Sequence, residues 1–354
     1  MSKRLLITGG AGFIGSNFVH YWHQNQSGSF VVLDTLTYAG NKENLADLEG
    51  DHRFRFVKGD ICDAEQVTTL LAAEEIDTVI HFAAESHVDR SILGPAIFAQ
   101  TNFIGTAVLL EAFRHHWEAK KKPAHYRFLH VSTDEVYGSL GMHDPAFTET
   151  TPYAPSSPYS ASKAGADHMV NAYFRTYGLP TLITNCSNNY GPYQFPEKLI
   201  PLMCINILLG KPLPLFGDGQ NVRDWLYVAD HCAALMAVLQ KGRIGEVYNI
   251  GGRCEVKNVE VVHRLCDLMA ELVGEQLPVP PRALIEYVRD RPGHDRRYAM
   301  NITKIQRETG WAPTYDFASG LRQTVNWYLS HQDWWQPLLS SGYESYYKAL
   351  YGSR

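Results

Sequence analysis

Tyr159 and Lys163 stand four residues apart, a spacing that puts a phenol and an ammonium on one face of a helix. Ser157 suits the cap of that helix and Pro158 its first position. The positive field of the helix start and the Lys163 charge both favour phenolate, which predicts a lowered pKa for Tyr159. Such a phenolate is a base for a hydroxyl proton near neutral pH. Upstream, Gly9-Gly10-Ala11-Gly12-Phe13-Ile14-Gly15 follows an apolar run and opens an apolar-periodic segment. Glycines three apart allow a tight turn and bring a diphosphate close to the free N–H groups of a helix start. Asp34 closes the next apolar run, where a carboxylate accepts from a ribose hydroxyl and disfavours a 2′-phosphate. The pattern predicts NAD rather than NADP.

Asp60 and Ile61 follow the third apolar run, as an adenine contact or as a plain strand-end cap. After the fourth run, the small residues Ala83, Ala84 and Ser86 let the chain pass close under a ribose or nicotinamide, while His81 reads as structural. Asp134 and Glu135 end the fifth. In a continuing strand they would point to opposite faces. Both reach one substrate only if the chain turns there, which Tyr137-Gly138 permits; a solvated acidic strand end is the alternative.

These residues need a scaffold. Apolar runs at 4–8, 30–33, 54–57, 78–82, 128–132 and 182–185 alternate with helical patterns at 13–22, 102–117 and 160–177. Short buried strands separated by helices imply right-handed crossovers and a Rossmann-type, doubly wound parallel sheet. Beyond Asn189, prolines interrupt the alternation; helices follow at 228–240 and 259–272, a strand at 247–250, and a linker at Pro278, Pro280 and Pro281. The expected division is a cofactor domain, residues 1–189 plus about 226–256, and a smaller, discontinuous substrate domain, 190–225 plus about 257–354. Among the 354 residues, 32 Lys plus Arg oppose 37 Asp plus Glu, so no basic field invites nucleic acid or an anionic membrane. Residues 5–33 lack charge, but polar residues interrupt them throughout, against a span or leader. Six scattered cysteines read as reduced thiols in a cytoplasmic protein, and His20 with His23 lacks the partners of a metal site, so no metal is expected.

The glycine motif followed by Tyr159-Ser160-Ala161-Ser162-Lys163 resembles the extended short-chain dehydrogenase/reductase superfamily, and its nucleotide-sugar members over nearly the whole chain. Thr133-Asp134-Glu135, Asn188-Asn189-Tyr190-Gly191-Pro192, Phe195-Pro196-Glu197-Lys198-Leu199, Arg223-Asp224-Trp225 and Asp290-Arg291-Pro292-Gly293-His294-Asp295 resemble the dTDP-glucose 4,6-dehydratase family. Epimerases and decarboxylases of the group typically lack the adjacent Asp-Glu.

The resemblance implies a lyase that converts dTDP-glucose to dTDP-4-keto-6-deoxyglucose, a deoxysugar precursor. Tyr159 takes the 4-hydroxyl proton as hydride passes from C4 to NAD. Glu135 takes the C5 proton, and protonated Asp134 gives one to the departing 6-hydroxyl. Hydride then returns to C6, so NAD stays bound; Thr133 steadies O4. Cofactor contacts extend to Thr35, Leu36, Thr37, Phe82, Thr101 and Asn188. Arg223 and Arg289, with Lys198 and His294, face the diphosphate. Ser86, Thr133, Asn188, Glu197, Leu199, Pro214, Phe216, Asn221 and Asn258 read sugar, phosphate or base. Trp311, Tyr315, Trp327, Trp334 and Trp335 read as core or helix docking. A homodimer is implied through helices 102–117 and 160–177, with Leu109, Leu110, Ala112, Phe113, Met169, Ala172 and Tyr173 as apolar area. The rival readings are a 4,6-dehydratase of UDP-, CDP- or GDP-sugars, a nucleotide-sugar 4-epimerase or decarboxylase, and a non-catalytic NAD-binding regulator.

Overall fold

The computed structural model describes residues 3–339. Its strands in chain order are β1 (Leu5–Thr8), β2 (Phe30–Asp34), β3 (Phe54–Lys58), β4 (Thr78–His81), β5 (Arg127–Thr133) and β6 (Thr181–Cys186). There follow β7 (Asn188–Tyr190), β8 (Leu213–Phe216), β9 (Val222–Tyr227), β10 (Val247–Ile250), β11 (Glu255–Lys257) and β12 (Ile285–Val288). Seven of them form one parallel sheet in the order β3-β2-β1-β4-β5-β6-β10. Leu6 pairs with Val31 on one side and Val79 on the other, so β1 is an interior strand, next to the central β4.

Residues alternate between two cores. Leu5, Ile7, Val32, Ile80 and Leu129 enter one; Leu6, Val31, Leu33, Val79 and Phe128 enter the other. Burial on both faces is why these strands read as unbroken apolar runs. Strand order reverses at β1, and the carboxyl ends there open the crevice in which such sheets bind ligands.

The helix Pro158–Tyr177 starts at a reciprocal Ser157–Ser160 capping box, with Pro158 in its first turn, and ends at Gly178 with φ +70°. The helix expected over 102–117 is part of a longer stretch, Pro95–Ala119, whose turns widen to π geometry over Ala99–Gly105. There the Asn102 amide clamps the chain after β4, bonding Glu85 N and O at 2.8 and 3.0 Å, and reaches Ser162 Oγ at 2.9 Å. By length and composition this stretch is apolar enough to cross a membrane, yet Leu109, Leu110, Ala112 and Phe113 are buried beneath the sheet. That corrects the expected interface: the four residues belong to the chain's own core. Ile104 and Ala172 lie on the exposed side instead.

Two smaller sheets follow, β11-β9-β7 and β12-β8. None of their strands is among those expected from the sequence; in β8 the apolar run Leu213–Phe216 is interrupted by Pro214, which an edge paired with β12 alone tolerates. A third core lies here, containing Trp225, Leu265, Val325 and Trp335, with Tyr315, Trp327 and Trp334 packed against it. Tyr298, Met300, Ile305 and Trp311, though they follow residue 257, pack with the large sheet. Residues 340–354 of the expected second domain lie outside the described residues.

Candidate active site

A cavity of about 400 Å³ opens over the carboxyl ends of β1, β2, β4 and β5. Gly9, Gly12, Phe13, Ile14 and Gly15 line one end, with Asp34, Thr35, Thr37, Asp60 and Ile61 beside them. Phe82, Ala83, Ala84 and Ser86 come from the chain after β4, and Thr101 from the π turn. Thr133, Asp134, Glu135, Tyr159, Lys163, Asn188, Glu197 and Lys198 are also among its lining. The expected cofactor residue outside this lining is Leu36. Its N–H donates to Asp34 Oδ1 at 2.8 Å, and its φ is +56°.

The glycine end suits a dinucleotide. Gly9 has φ +69°, and a Cβ there would meet Ala83 N at 2.5 Å; one on Gly15 would meet Gly9 O at 2.2 Å. Gly12 starts the helix Phe13–Asn25 with no side-chain cap and no acid in the first turn, so the N–H donors remain open to an anion. Asp34 accepts from Ala11 N at 2.9 Å and from Leu36 N. A carboxylate has about four lone-pair sites, so capacity remains for a ribose. Burial raises the Asp34 pKa, and those two N–H groups oppose the rise.

At the other end, β5 breaks into a single 3-10 turn, Asp134–Tyr137, in which Thr133 Oγ1 accepts from Glu135 N at 3.3 Å. The turn brings adjacent carboxyls to one cavity, and Gly138 leaves it at φ +86°. Their environments differ. Asp134 is 2% exposed, with Oδ2 unpartnered; burial first, then the Glu135 and Asp224 charges, raise its pKa well above the usual range. Burial raises Glu135 as well, but Arg291, Lys198 and Arg223 pull it back. Asp134 is therefore the proton holder of the pair and Glu135 the more readily ionised member.

Tyr159 overturns its expected lowered pKa. Burial raises the phenol well above its ordinary value, and the Glu135 charge adds to this, with only hydrogen bonding to Thr133 prominent in opposition. Lys163 faces elsewhere: Nζ donates to Val131 O at 2.9 Å, and burial lowers its own pKa to about 8. Helical spacing brought the two together, but the strand carbonyl holds the ammonium.

Several expected substrate residues gather in a second layer outside the lining. Arg223 Nη2 and Asn221 Nδ2 both donate to Asp295 O, at 2.9 and 3.1 Å. His294 packs edge-on to Phe216 with ring centres 6.2 Å apart, and burial with the Arg291 and Arg223 charges lowers it to about 4. Asn258 N bonds Asn221 O at 2.9 Å. Leu199 begins the helix Leu199–Leu209, and Pro214 lies in the β8 ladder. Arg289 is exposed. The guanidinium that acts most strongly on Glu135, ahead of Arg223, is Arg291, which pairs with Asp89 at 3.3 Å and stands in the same motif without having been singled out. His20 and His23 bond Asn44 O at 2.8 Å and Asp51 at 2.6 Å.

Comparison with known proteins places this geometry. The GDP-mannose 4,6 dehydratase family profile matches residues 6–324. A dTDP-glucose 4,6-dehydratase of Xanthomonas campestris pv. campestris is 57% identical over 342 residues, 96% of each chain. One of Shigella flexneri is 54% identical over 361 residues, 99% of each. The chain belongs to the dTDP-glucose 4,6-dehydratase family. A solved family structure from Streptomyces venezuelae, with NAD bound, superposes with a TM-score of 0.86 at 48% identity, covering 95% of this chain and 99% of that one. The smaller sheets and the 3-10 turn after β5 are thus features of a chain matched to its family nearly end to end.

Proposed function

We infer that the protein is an NAD-dependent hydro-lyase that dehydrates dTDP-glucose to dTDP-4-keto-6-deoxyglucose. One observation carries this reading: Asp134 and Glu135 turn into one cavity with Tyr159, in environments that separate their pKa values. A 4-epimerase needs the Tyr–Lys pair but no second acid and base, and a binding regulator needs neither. The names of the relatives at 54% and 57% identity support dTDP as the nucleotide.

The residues around the glycine turn, with Asp34 and Asp60, would hold the cofactor. NAD, when bound, supplies a hydride acceptor for C4, a donor for C6 once reduced, and a cationic ring that favours phenolate. Tyr159 takes the 4-hydroxyl proton, and Thr133 bonds O4. The 4-ketone acidifies the C5 hydrogen, which Glu135 removes. Asp134, kept protonated by burial, gives its proton to the 6-hydroxyl, and water leaves. Glu135 returns its proton to C5 as C6 is reduced. Arg223, Arg291 and Lys198 supply positive charge for the diphosphate. In this reading the large sheet, with the segment from Tyr298 to Trp311 packed on it, holds the cofactor, and residues 190–225 with the rest of 257–339 hold the nucleotide sugar.

The reading includes a cytoplasmic setting, supported by six free cysteines, four of them buried. It also includes a homodimer through the exposed side of Pro95–Ala119 and Pro158–Tyr177, where Ile104 is 42% and Tyr177 42% exposed. Incubation with dTDP-glucose, followed by mass, tests the activity. Loss of one water supports it; an isomer of unchanged mass would make the protein an epimerase, and turnover of UDP- or GDP-sugars alone would reassign the nucleotide.

A further inference from the structure

Behind the Tyr–Lys pair the fold encloses a charged cluster that the steps above leave unused. Lys163 and Asp167 lie one turn apart on the helix Pro158–Tyr177, with His130 of β5 between them. His130 Nε2 is 3.5 Å from Lys163 Nζ and 3.2 Å from Asp167 Oδ1. His130 and Asp167 are 0% exposed and Lys163 3%, so water solvates neither charge. A buried ammonium gives up its proton unless an opposite charge stands near. Ser132 Oγ and Tyr153 OH each donate to Asp167 Oδ2 at 2.9 Å. Asp167 Oδ1, free of any hydrogen bond, is left to the His130 side.

We propose that Asp167, acting across His130, is the buried counter-ion that keeps Lys163 charged and its ammonium fixed behind Tyr159. It is a positioning residue, since it acts through Lys163. Its consequence for turnover rests on the reading of Tyr159 and Lys163 above; its effect on the Lys163 charge does not.

The charge assignment follows from the surroundings. Burial lowers Lys163 to about 8, and Asp167 is the chief influence opposing it, ahead of Cys186. Burial pushes Asp167 up to about 6, with Lys163 the chief opposing influence. Cys186, at the end of β6, is pushed up to about 12 and is a neutral thiol. His81 of β4, its ring 5.2 Å from that of His130, is neutral like His130, both lowered by burial. Tyr137 and Tyr153, joined to the cluster through Asn185, are raised and neutral. Burial favours the neutral phenol at Tyr159, an effect that the cationic ring of NAD opposes when bound, and His168 follows Asp167 on the helix. Between roughly pH 6 and pH 8, then, the cluster's two opposite charges are Asp167 and Lys163.

Carbon-13 NMR of the full-length protein, labelled at lysine Cε and carrying its cofactor as purified, tests this. The Lys163 signal is assigned by its absence from Lys163→Arg. In the parent it should titrate near 8 and show a second inflection near 6, where Asp167 takes up a proton. Asp167→Asn keeps the shape that meets Ser132 and Tyr153. It should lower the Lys163 midpoint by about one unit or more, and the alkaline limb of kcat/KM should move with it. Asp167→Glu should restore both. An unmoved midpoint in folded Asp167→Asn overturns the proposal. If that variant does not fold, a parent signal lacking the inflection near 6 overturns it as well. Failure of the dehydratase reading looks different: the parent would then form no 4-keto product, whatever Lys163 does.

Discussion

Replacing Glu135 by Gln should separate the two halves of the reaction. The substitution preserves shape and removes a base, and losing a positioned base costs about 10² to 10⁴ in rate, or about 2.7–5.4 kcal/mol of barrier. Arg291 keeps its 3.3 Å pairing with Asp89, so the cationic cluster does not lose all its counter-charge and the variant should fold. After burial, the Glu135 charge is the largest influence raising the Tyr159 pKa. Its removal should leave C4 oxidation at the parent rate or faster. In a single turnover quenched at intervals, the 4-keto sugar that still holds its 6-hydroxyl should therefore accumulate, without exchanging its C5 hydrogen for solvent deuterium. The pH dependence has a definite sign. Glu135 works ionised, and burial raises its pKa, so the parent should lose activity as pH falls through a value above the ordinary glutamate range. That limb should vanish from whatever activity the variant retains. Dehydration by Glu135→Gln at the parent rate, or a variant that never forms the ketone, would refute the assignment.

Asp134→Asn should permit C5 exchange yet slow water loss by about 10² or more, measured by the same quench and mass analysis. Tyr159→Phe should block the first step, leaving no 4-keto sugar in any quench. Gly9→Ala must hold a left-handed φ of +69° and force a Cβ against Ala83, at a combined cost of about 2–5 kcal/mol; a lower melting temperature and depleted cofactor content should follow. Protein denatured after purification should release NAD, and recovery mainly of NADP would contradict the role given to Asp34. Light scattering at micromolar concentration should return a dimer mass, and Ile104→Glu should shift it towards monomer.

What lay open in the sequence was local. Strands buried on both faces left unbroken apolar runs, and their spacing by helices determined a parallel sheet with its crevice beside the Gly9–Gly15 turn. Four-residue spacing put Tyr159 and Lys163 on one helix, and Asp134 beside Glu135 announced paired acid chemistry. The rest depended on contacts between segments distant in the chain. Strands β7, β9 and β12 carry Asn, Arg, Asp or Glu within their length, and β8 carries a proline, so neither an unbroken apolar run nor the usual strand composition marks them. Arg289 and Arg291 look equivalent as residue types; the path after β12 exposes one and turns the other towards Asp89 and Glu135. Nor can spacing say that Lys163 spends its hydrogen bond on Val131 O, or that burial outweighs a helix field at Tyr159. A pKa depends on the water excluded and the charges gathered by the whole fold, and only the assembled tertiary structure decides either.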